Sequence, residues 1–168
     1  AGVAARALST MGKVAIPALI EEAGNENWWV RAMAVDVLTK LGPAARSAIP
    51  ALTSGLEDEH WWVRRNCAEG LKAINDFPDS VVEALTRAVG DHDYRVRRNA
   101  ALAINDVGPD AEGAIPNLLE MLDDENRYNR FYAATALKGI GTQKANSALL
   151  DNLFTARWCP LTTPESTF

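Results

Sequence analysis

The sequence predicts an all-α fold in which about five helical hairpins of 33 residues stack on one another. The main observation is a motif that recurs at this interval, beginning at Trp28, Trp61, Tyr94 and Arg127. Within each repeat, apolar residues recur with helical spacing in two separate segments. Alanine makes up 28 of the 168 residues, which favours helices packed closely through small side chains. Such repeats bury apolar surface on their neighbours rather than around one central core.

The repeat keeps its register through four copies without an insertion. Three columns of aliphatic residues show this: Ile16, Ile49, Val82 and Ile115; Leu19, Leu52, Leu85 and Leu118; and Leu38, Leu71, Ile104 and Leu137. Agreement in so many columns at a single period excludes a chance similarity. The period therefore defines the structural unit of the chain.

The second segment of each repeat predicts a helix of about four turns, which we call the B helix. In one copy Val30, Ala34, Val37, Leu38 and Leu41 lie on a single face of this helix. A glycine or an asparagine then follows, as a left-handed helix C-cap requires. These capping positions are Gly42, Asn75, Gly108 and Gly141.

The first segment predicts a shorter helix, the A helix, with Ile49, Leu52 and Leu56 as its buried positions in one copy. Pro50 lies near the start of this helix, where a missing amide hydrogen and a fixed φ are tolerated. A short acidic turn joins each A helix to the following B helix. Its first residue in the four copies is Asn25, Asp58, Asp91 or Asp124.

These residues resemble HEAT-like repeats, in particular the short bacterial form also found in phycobilin lyase subunits. The resemblance covers about residues 7–155 and rests on AIPAL, an acidic turn, VR and an alanine-rich segment that ends in L-x-x-L/I-G. It implies a right-handed α-solenoid in which A helices line the convex side and B helices the concave side. It implies no particular reaction.

The repeat also predicts the domain organisation. One solenoid domain spans residues 1–156, with repeats at about 13–42, 43–75, 76–108 and 109–141 and half-repeats at 1–12 and 142–156. Residues 157–168 abandon the helical period and form a tail, in which Trp158 and Leu161 are candidates for covering the last helix. Because the chain does not begin with methionine, we expect it to be processed or cut from a longer protein.

Charge and hydropathy restrict the class of partner. Lys and Arg number 17 against 22 Asp and Glu, and the net charge of −5 argues against a general affinity for nucleic acid or anionic membranes. No apolar run approaches the ~18 residues of a membrane span, and the first residues lack the pattern of a signal peptide. We therefore expect no membrane association and favour the cytoplasm, while the oligomeric state stays open.

Every B helix carries an arginine in its first turn, where the helix dipole disfavours a cation. The acidic turns offer compensation, so we expect a ladder of arginine–carboxylate hydrogen bonds within or between neighbouring repeats. A ligand-binding role for the arginine column is the alternative. The predicted ladder consists of Arg31, Arg64, Arg97 and Arg130 with Asp58, Asp91 and Asp124.

The B-helix face opposite the core is predicted to bind a partner. Tryptophan, tyrosine and arginine are enriched in binding hot spots, because they offer a large contact area or forked donors. The alternative is that the aromatic rings pack between adjacent B helices, as we expect for Trp28 and Trp61 under the turn. The predicted partner-binding set is Trp29, Trp62, Arg65, Asn66, Arg95, Arg98, Asn99, Tyr128, Phe131 and Tyr132.

The function that the sequence favours is a non-catalytic scaffold that binds a protein or peptide in this groove. One alternative resembles the bilin lyases, with a tetrapyrrole held in the groove. Another is nucleic-acid binding by analogy with HEAT-like DNA glycosylases, which the acidic turns oppose. A purely architectural module is a further possibility.

No catalytic, metal or cofactor site is predicted. The deoxyhypusine hydroxylases, which are HEAT-like enzymes with an iron pair, would need several His-Glu dipeptides, and the sequence contains none. His60 and His92 are expected to be solvated turn residues. Cys67 lies in a column that otherwise holds alanine, so we expect a small core residue rather than a nucleophile.

Overall fold

The computed structural model describes residues 12–155, and the described side chains are those of residues 12–152. In this range the chain forms nine α-helices and short 3₁₀ segments, without a β-strand. None of these helices is long and apolar enough to cross a bilayer. The predictions for residues 1–11 and for the tail, including Trp158 and Leu161, lie outside the described residues. The helices are α1 (Ile16–Glu22), α2 (Trp28–Leu41), α3 (Ile49–Ser54), α4 (Trp61–Ile74), α5 (Asp79–Ala88), α6 (Tyr94–Val107), α7 (Ile115–Met121), α8 (Arg127–Ile140) and α9 (Gln143–Thr155).

The helices alternate as the repeat predicts, the odd-numbered ones being A helices and the even-numbered ones B helices. Successive B helices lie side by side, α2 against α4, α4 against α6, and α6 against α8. Each of the first four A helices packs on the B helix that follows it, and α9 packs on α7 and α8. The predicted all-α solenoid of helical hairpins is thereby confirmed. The exact boundaries between repeats stay a prediction.

Aliphatic columns of the repeat form the interior. Leu38, Leu71, Ile104 and Leu137 are all fully buried, and burial of one such side chain contributes about 1.5–3 kcal/mol. Small residues let the B helices approach one another. A Cβ on Gly70, for example, would come within 2.9 Å of the Thr39 hydroxyl of the preceding B helix. Stacking of the repeats thus depends on both aliphatic and small side chains.

All four B helices end at a residue with positive φ, in agreement with the predicted C-caps. Asn75 and Gly141 adopt the left-handed conformation, with ψ values of 46° and 0°. Gly42 and Gly108 have similar φ values but ψ values of −130° and −138°, a region that only glycine occupies readily. Both of these glycines precede a proline, which disfavours a helical backbone in the residue before it.

Two side chains fix the turn that precedes each B helix. The residue just before the helix accepts a hydrogen bond from the backbone N–H two positions further on, and so caps the helix. The first residue of the acidic turn likewise accepts the backbone N–H of the capping residue. These bonds satisfy amide groups that the start of a helix leaves free. The capping residues are Asn27, His60, Asp93 and Asn126.

An arginine in the first turn of the B helix connects two successive turns. Arg64 Nη1 donates to the carbonyl oxygens of Asp58 and Glu59 in its own turn, at 2.8 and 3.1 Å. Its Nε and Nη2 donate to the two carboxylate oxygens of Asp91 in the next turn, at 2.7 and 2.9 Å. The guanidinium group therefore holds its own turn and binds the following repeat at once.

The same arrangement recurs at the neighbouring interfaces. Arg31 donates to both carboxylate oxygens of Asp58, at 2.6 and 2.9 Å, and Arg97 Nε donates to Asp124 Oδ2 at 2.6 Å. The partners are 27 residues apart in each case, so the ladder runs between repeats rather than within one. Arg130 donates to the two carbonyl oxygens of its own turn as the other ladder arginines do, but it makes no carboxylate bond among the described side chains of residues 12–152.

The ladder is largely shielded from water. The side chains of Arg64 and Asp91 are only 5% and 10% exposed. Burial tends to raise the pKa of the Asp124 carboxyl, but hydrogen bonds from Arg97 and Asn129 outweigh it and hold this pKa below its usual value. These charges are therefore stabilised by their partners in place of the water they have lost.

We expect Gly108→Ala to lower the free energy of unfolding by about 1–3 kcal/mol, because a side chain is strained at this φ and ψ. Gly113→Ala is the matched control, since a Cβ there meets nothing within 4 Å and its φ is not positive. Urea denaturation followed by circular dichroism measures both. Equal stability of the two variants would contradict the assignment of strain.

We expect Arg64→Ala to lower the free energy of unfolding by about 3–5 kcal/mol, because the change leaves the buried Asp91 carboxylate without its guanidinium. Arg46→Ala is the control, since Arg46 pairs with Asp76 while its side chain is 75% exposed, and such pairs contribute about 0–1 kcal/mol. Thermal and urea denaturation provide the comparison. A melting curve unchanged by Arg64→Ala would refute a stabilising ladder.

Candidate functional site

The outward side of the B helices forms a continuous surface, which we call the B face. It consists of the second, fifth and ninth residues of each B helix, except for Ala32, which is buried. Among its aromatic residues Trp29, Tyr128 and Phe131 are 39%, 56% and 64% exposed, and Trp62 is half-buried. The arginines of the same surface are Arg65, Arg95 and Arg98, all of them partly exposed. Eight of the ten predicted partner-binding residues are therefore at least partly accessible, Tyr132 being the eighth.

The tryptophan rings both pack together and reach the surface. Trp28 stacks on the imidazole of His60, with ring centroids 3.8 Å apart, and lies 6.4 Å from Trp62. Trp29 and Trp62 meet edge to face at 6.0 Å. Trp28 and Trp61 are half-buried against the core, as expected for residues under the turn. The rings of the first two repeats thus form one aromatic cluster with exposed edges.

His60 is a structural residue rather than the solvated turn residue that the sequence suggested. Its Nδ1 accepts the backbone N–H of Trp62 at 3.3 Å and so caps α4. Its ring fills the space between Trp28 and Trp61, whose centroid lies 5.9 Å away. The prediction is correct for His92, whose side chain is 82% exposed. It failed for His60 because the capping role depends on its position directly before the helix.

The three arginines of the B face differ in how they are bound. The guanidinium of Arg95 lies 3.4 Å from the centroid of Trp61 and donates to the Asp93 carboxylate at 2.8 and 3.0 Å. This hydrogen bond holds the pKa of Asp93 below its usual value, although burial opposes the shift. Arg65 pairs with Glu69 at 2.9 Å. Arg98 has no ion pair within the described part of the chain.

Asn66 and Asn99 do not lie on the B face. The prediction that they belong to the accessible partner-binding set is therefore wrong. They are only 5% and 6% exposed. Their side-chain amides donate to the carbonyl oxygens of Ala32 and Arg65 in the preceding B helix, at 3.4 and 3.3 Å. The sixth position of the B helix is thus directed at the neighbouring helix, and these residues join repeats. Tyr132 shares this position and is half-buried against the core.

Asn129 is a buried residue that the sequence analysis missed. It stands in the column of Val63 and Val96, and it is fully buried. Its amide nitrogen donates to the Tyr94 carbonyl at 3.1 Å and to Asp124 Oδ2 at 2.9 Å. Its Oδ1 is buried without a hydrogen-bond partner, which costs about 1–3 kcal/mol. An asparagine in a valine column is the signal that could have identified it.

The groups suited to covalent or metal chemistry are few in this range. Residues 12–152 contain no group of three His, Cys, Asp or Glu side chains that could hold a metal ion. The Cys67 side chain is fully buried, and burial together with the nearby charge of Asp58 raises the pKa of its thiol. Cys67 is a core residue, as predicted.

Comparison with solved structures places this arrangement among helical repeat proteins. An engineered protein covers 92% of the chain with a TM-score of 0.71 and 21% identity, and 82% of its own length is matched. A designed armadillo repeat protein, solved in complex with the peptide (KR)4, matches 93% of this chain and 86% of its own at 18% identity and a TM-score of 0.71. At these identities the similarity concerns the fold alone.

A natural protein also aligns with the chain. It belongs to the complex of CpcE and CpcF of phycocyanin lyase from Nostoc sp. PCC7120, with 26% identity and a TM-score of 0.61 over 86% of this chain and 91% of that one. A comparison with curated proteins gives no match. The family described as HEAT repeats matches residues 16–105, 49–138 and 91–157. Since these matches cover most of the sequence, the chain belongs to the HEAT repeat family.

Proposed function

We propose that this protein is a non-catalytic scaffold that binds a protein or peptide segment along the concave B face. One observation carries the proposal. Of the six most exposed large apolar side chains among the described residues, three lie on the B face: Trp29, Tyr128 and Phe131. A fourth, Tyr94, is the first residue of the B helix α6. Exposed aromatic residues gathered on one face are typical of a protein-binding surface.

The anchoring of these residues supports the same function. Trp29, Arg95 and Tyr128 each follow a capping residue that accepts their backbone N–H. Their backbone is therefore fixed before a partner arrives, which reduces the conformational entropy lost on binding. Only side-chain rotamers of the outermost rings remain to be ordered.

The charges of the face favour a partner segment with a carboxylate. Arg65 and Arg95 are bound to Glu69 and Asp93, so they do not need an external anion. Arg98 lies on α6, which packs between α4 and α8, and has no ion pair in residues 12–152. α4 carries the half-buried Trp62, and α8 carries the exposed Tyr128 and Phe131. An acidic side chain of the partner is expected to bind there, with its aromatic or aliphatic residues on the tryptophan and tyrosine rings.

Peptides selected from a random library against the intact protein provide a probe for this surface. We expect the combined change Arg98→Glu and Tyr128→Ala to weaken their binding at least tenfold, because it removes a cation and an exposed ring from the same face. Leu150→Ala is the matched control, since Leu150 is 53% exposed on the A helix α9. Fluorescence anisotropy measures the affinities, and circular dichroism verifies that helicity is retained.

Two results would contradict the proposal. Peptides that bind the double variant as tightly as the original protein would show that the B face is not the binding surface. An equal loss of affinity in Leu150→Ala would show that any exposed apolar residue serves as well.

The similarity to a phycocyanin lyase subunit supports a second candidate, in which the B face holds a bilin. The edge-to-face pair Trp29 and Trp62 offers aromatic surface. Arg98, which has no ion pair among the described residues, offers a cation for a propionate. Addition of a bilin to the protein is expected to shift its visible absorption if this function is correct. The shift should be lost with Arg98→Glu, and an unchanged spectrum of the original protein would exclude this candidate.

A further inference from the structure

Three complete arginine–aspartate pairs of the ladder can be compared with Arg130, which lacks an aspartate partner among the described residues. At three interfaces, the arginine of one B helix binds the aspartate that begins the next acidic turn. That aspartate also accepts the backbone N–H of the capping residue two positions further on, which directly precedes the next B helix. The three filled interfaces therefore define which group the arginine binds and in what setting.

The guanidinium group of Arg130 is held by its own turn in the same way, but no aspartate carboxylate binds it among the described residues. Its Nη1 donates to the carbonyl oxygens of Asp124 and Glu125 at 2.6 and 3.2 Å, as the other ladder arginines do in their turns. Its Nε and Nη2 have no partner among the described side chains of residues 12–152, and its own side chain is exposed. The guanidinium group is thus held with its carboxylate-binding edge open to solvent.

The helix surface next to Arg130 is also less buried than the equivalent surfaces of α4 and α6. Ala68 and Ala101, four residues after the ladder arginines of α4 and α6, are completely buried where the next B helix packs. Ala134 occupies the same position in α8 and is only partly buried. The open edge of Arg130 therefore borders a helix face that is less buried than the equivalent faces of α4 and α6, which a further B helix covers.

The sequence does not supply an acid at the corresponding place. The residue 33 positions after Asp124 is Arg157, which has the same charge as Arg130. A second copy stacked end to end would offer Asn25, whose amide provides one oxygen and no negative charge. Neither reproduces the bidentate pairing that Arg31 and Arg64 make with their aspartates.

We propose that Arg130 and the adjoining face of α8 form a docking site for a partner helix that begins with an aspartate-containing turn. The aspartate binds Nε and Nη2 of Arg130, and the first turns of the partner helix cover Ala134. Within residues 12–155 this surface belongs to the last B helix and lies beside the ladder rather than on the B face, so the proposal is independent of the one made for the B face.

A peptide taken from this chain tests the site, because it contains a turn and a helix of the required kind. The probe spans Gly90–Val107, which includes Asp91 and α6, and a hydrocarbon staple between positions 98 and 102 keeps it helical. We expect it to bind the intact protein and expect the Asp91→Asn peptide to bind about tenfold more weakly, as fits the loss of a charge-assisted bidentate pair. Fluorescence anisotropy at low salt measures both.

Protein variants separate the specific contact from general attraction. Arg130→Gln is expected to lower the affinity for the Asp91 peptide about tenfold and to remove the difference between the two peptides. Arg127→Gln is the matched control, because Arg127 is exposed one turn earlier on the same helix and donates to the Tyr128 hydroxyl. It should leave the preference for aspartate intact.

Four outcomes would overturn the proposal. The first is that the Asp91 peptide does not bind, and the second is that both peptides bind with equal affinity. The third is that Arg127→Gln lowers the affinity as much as Arg130→Gln does. The fourth is that the original protein forms a dimer which Arg130→Gln dissociates. The first includes the case in which the chain itself covers Arg130, and the last would make a second copy the occupant. Sedimentation velocity on both proteins tests the last outcome.

Discussion

The hydrogen bonds between the arginine of one B helix and the aspartate of the next turn are the constraint on which the rest of the structure depends. Arg64 binds two carbonyl groups behind it and two carboxylate oxygens ahead of it. A flexible lysine could not satisfy four acceptors in a plane, whereas the planar fork of arginine does so with little loss of freedom. Each rung therefore fixes both the shape of a turn and the distance to its neighbour.

The ladder also explains why a cation is tolerated at the start of a helix. The positive end of the helix dipole would repel an isolated guanidinium. Here each guanidinium faces a carboxylate and carbonyl oxygens, so the local field near Arg31 or Arg64 is negative rather than positive. The same bond raises the pKa of Arg31 further, although burial opposes this effect.

The B face inherits its geometry from the ladder. The turn that the ladder fixes ends in a capping residue, and the first residues of the B helix follow directly. At His60 the capping residue itself packs between Trp28 and Trp61. The stabilising ladder and the proposed binding surface are thus built from adjacent residues, and a change in the turn is expected to reorient the rings. This coupling is the reason that test variants on the face need a separate measurement of folding.

Much of the fold followed from the sequence, because the period and the helical spacing are properties of the chain alone. The spacing of residues along a helix shows whether a side chain lies on the apolar face of that helix or on the opposite face. It does not give the angle at which the next B helix lies. Asn66 and Asn99 were therefore placed on the surface, although the preceding helix covers them and accepts their hydrogen bonds.

The accessible site was predictable in part for the same reason. Trp29, Tyr128 and Phe131 point away from the apolar face of their own helix, and all three stay exposed among the described residues, although Trp29 contacts Trp62 of the next B helix. Asn129 shows the opposite case, since its partners Tyr94 and Asp124 belong to other elements and its column is otherwise apolar. Contacts of this kind depend on how separate elements pack together, and the sequence of a single repeat does not predict that packing.

Whether an arginine of the B face can bind a partner carboxylate depends on whether the chain's own acids already pair with it, rather than on the number of charges. A partner carboxylate near Arg95 would have to compete with Asp93, which already makes two hydrogen bonds to that guanidinium. At Arg98 it would displace only water, because this arginine has no ion pair within the described residues. The free energy gained by an acidic partner is therefore concentrated at one position of the face. The net charge of −5 conceals this, because it does not show that Asp58, Asp91 and Asp124 are already bound to arginines.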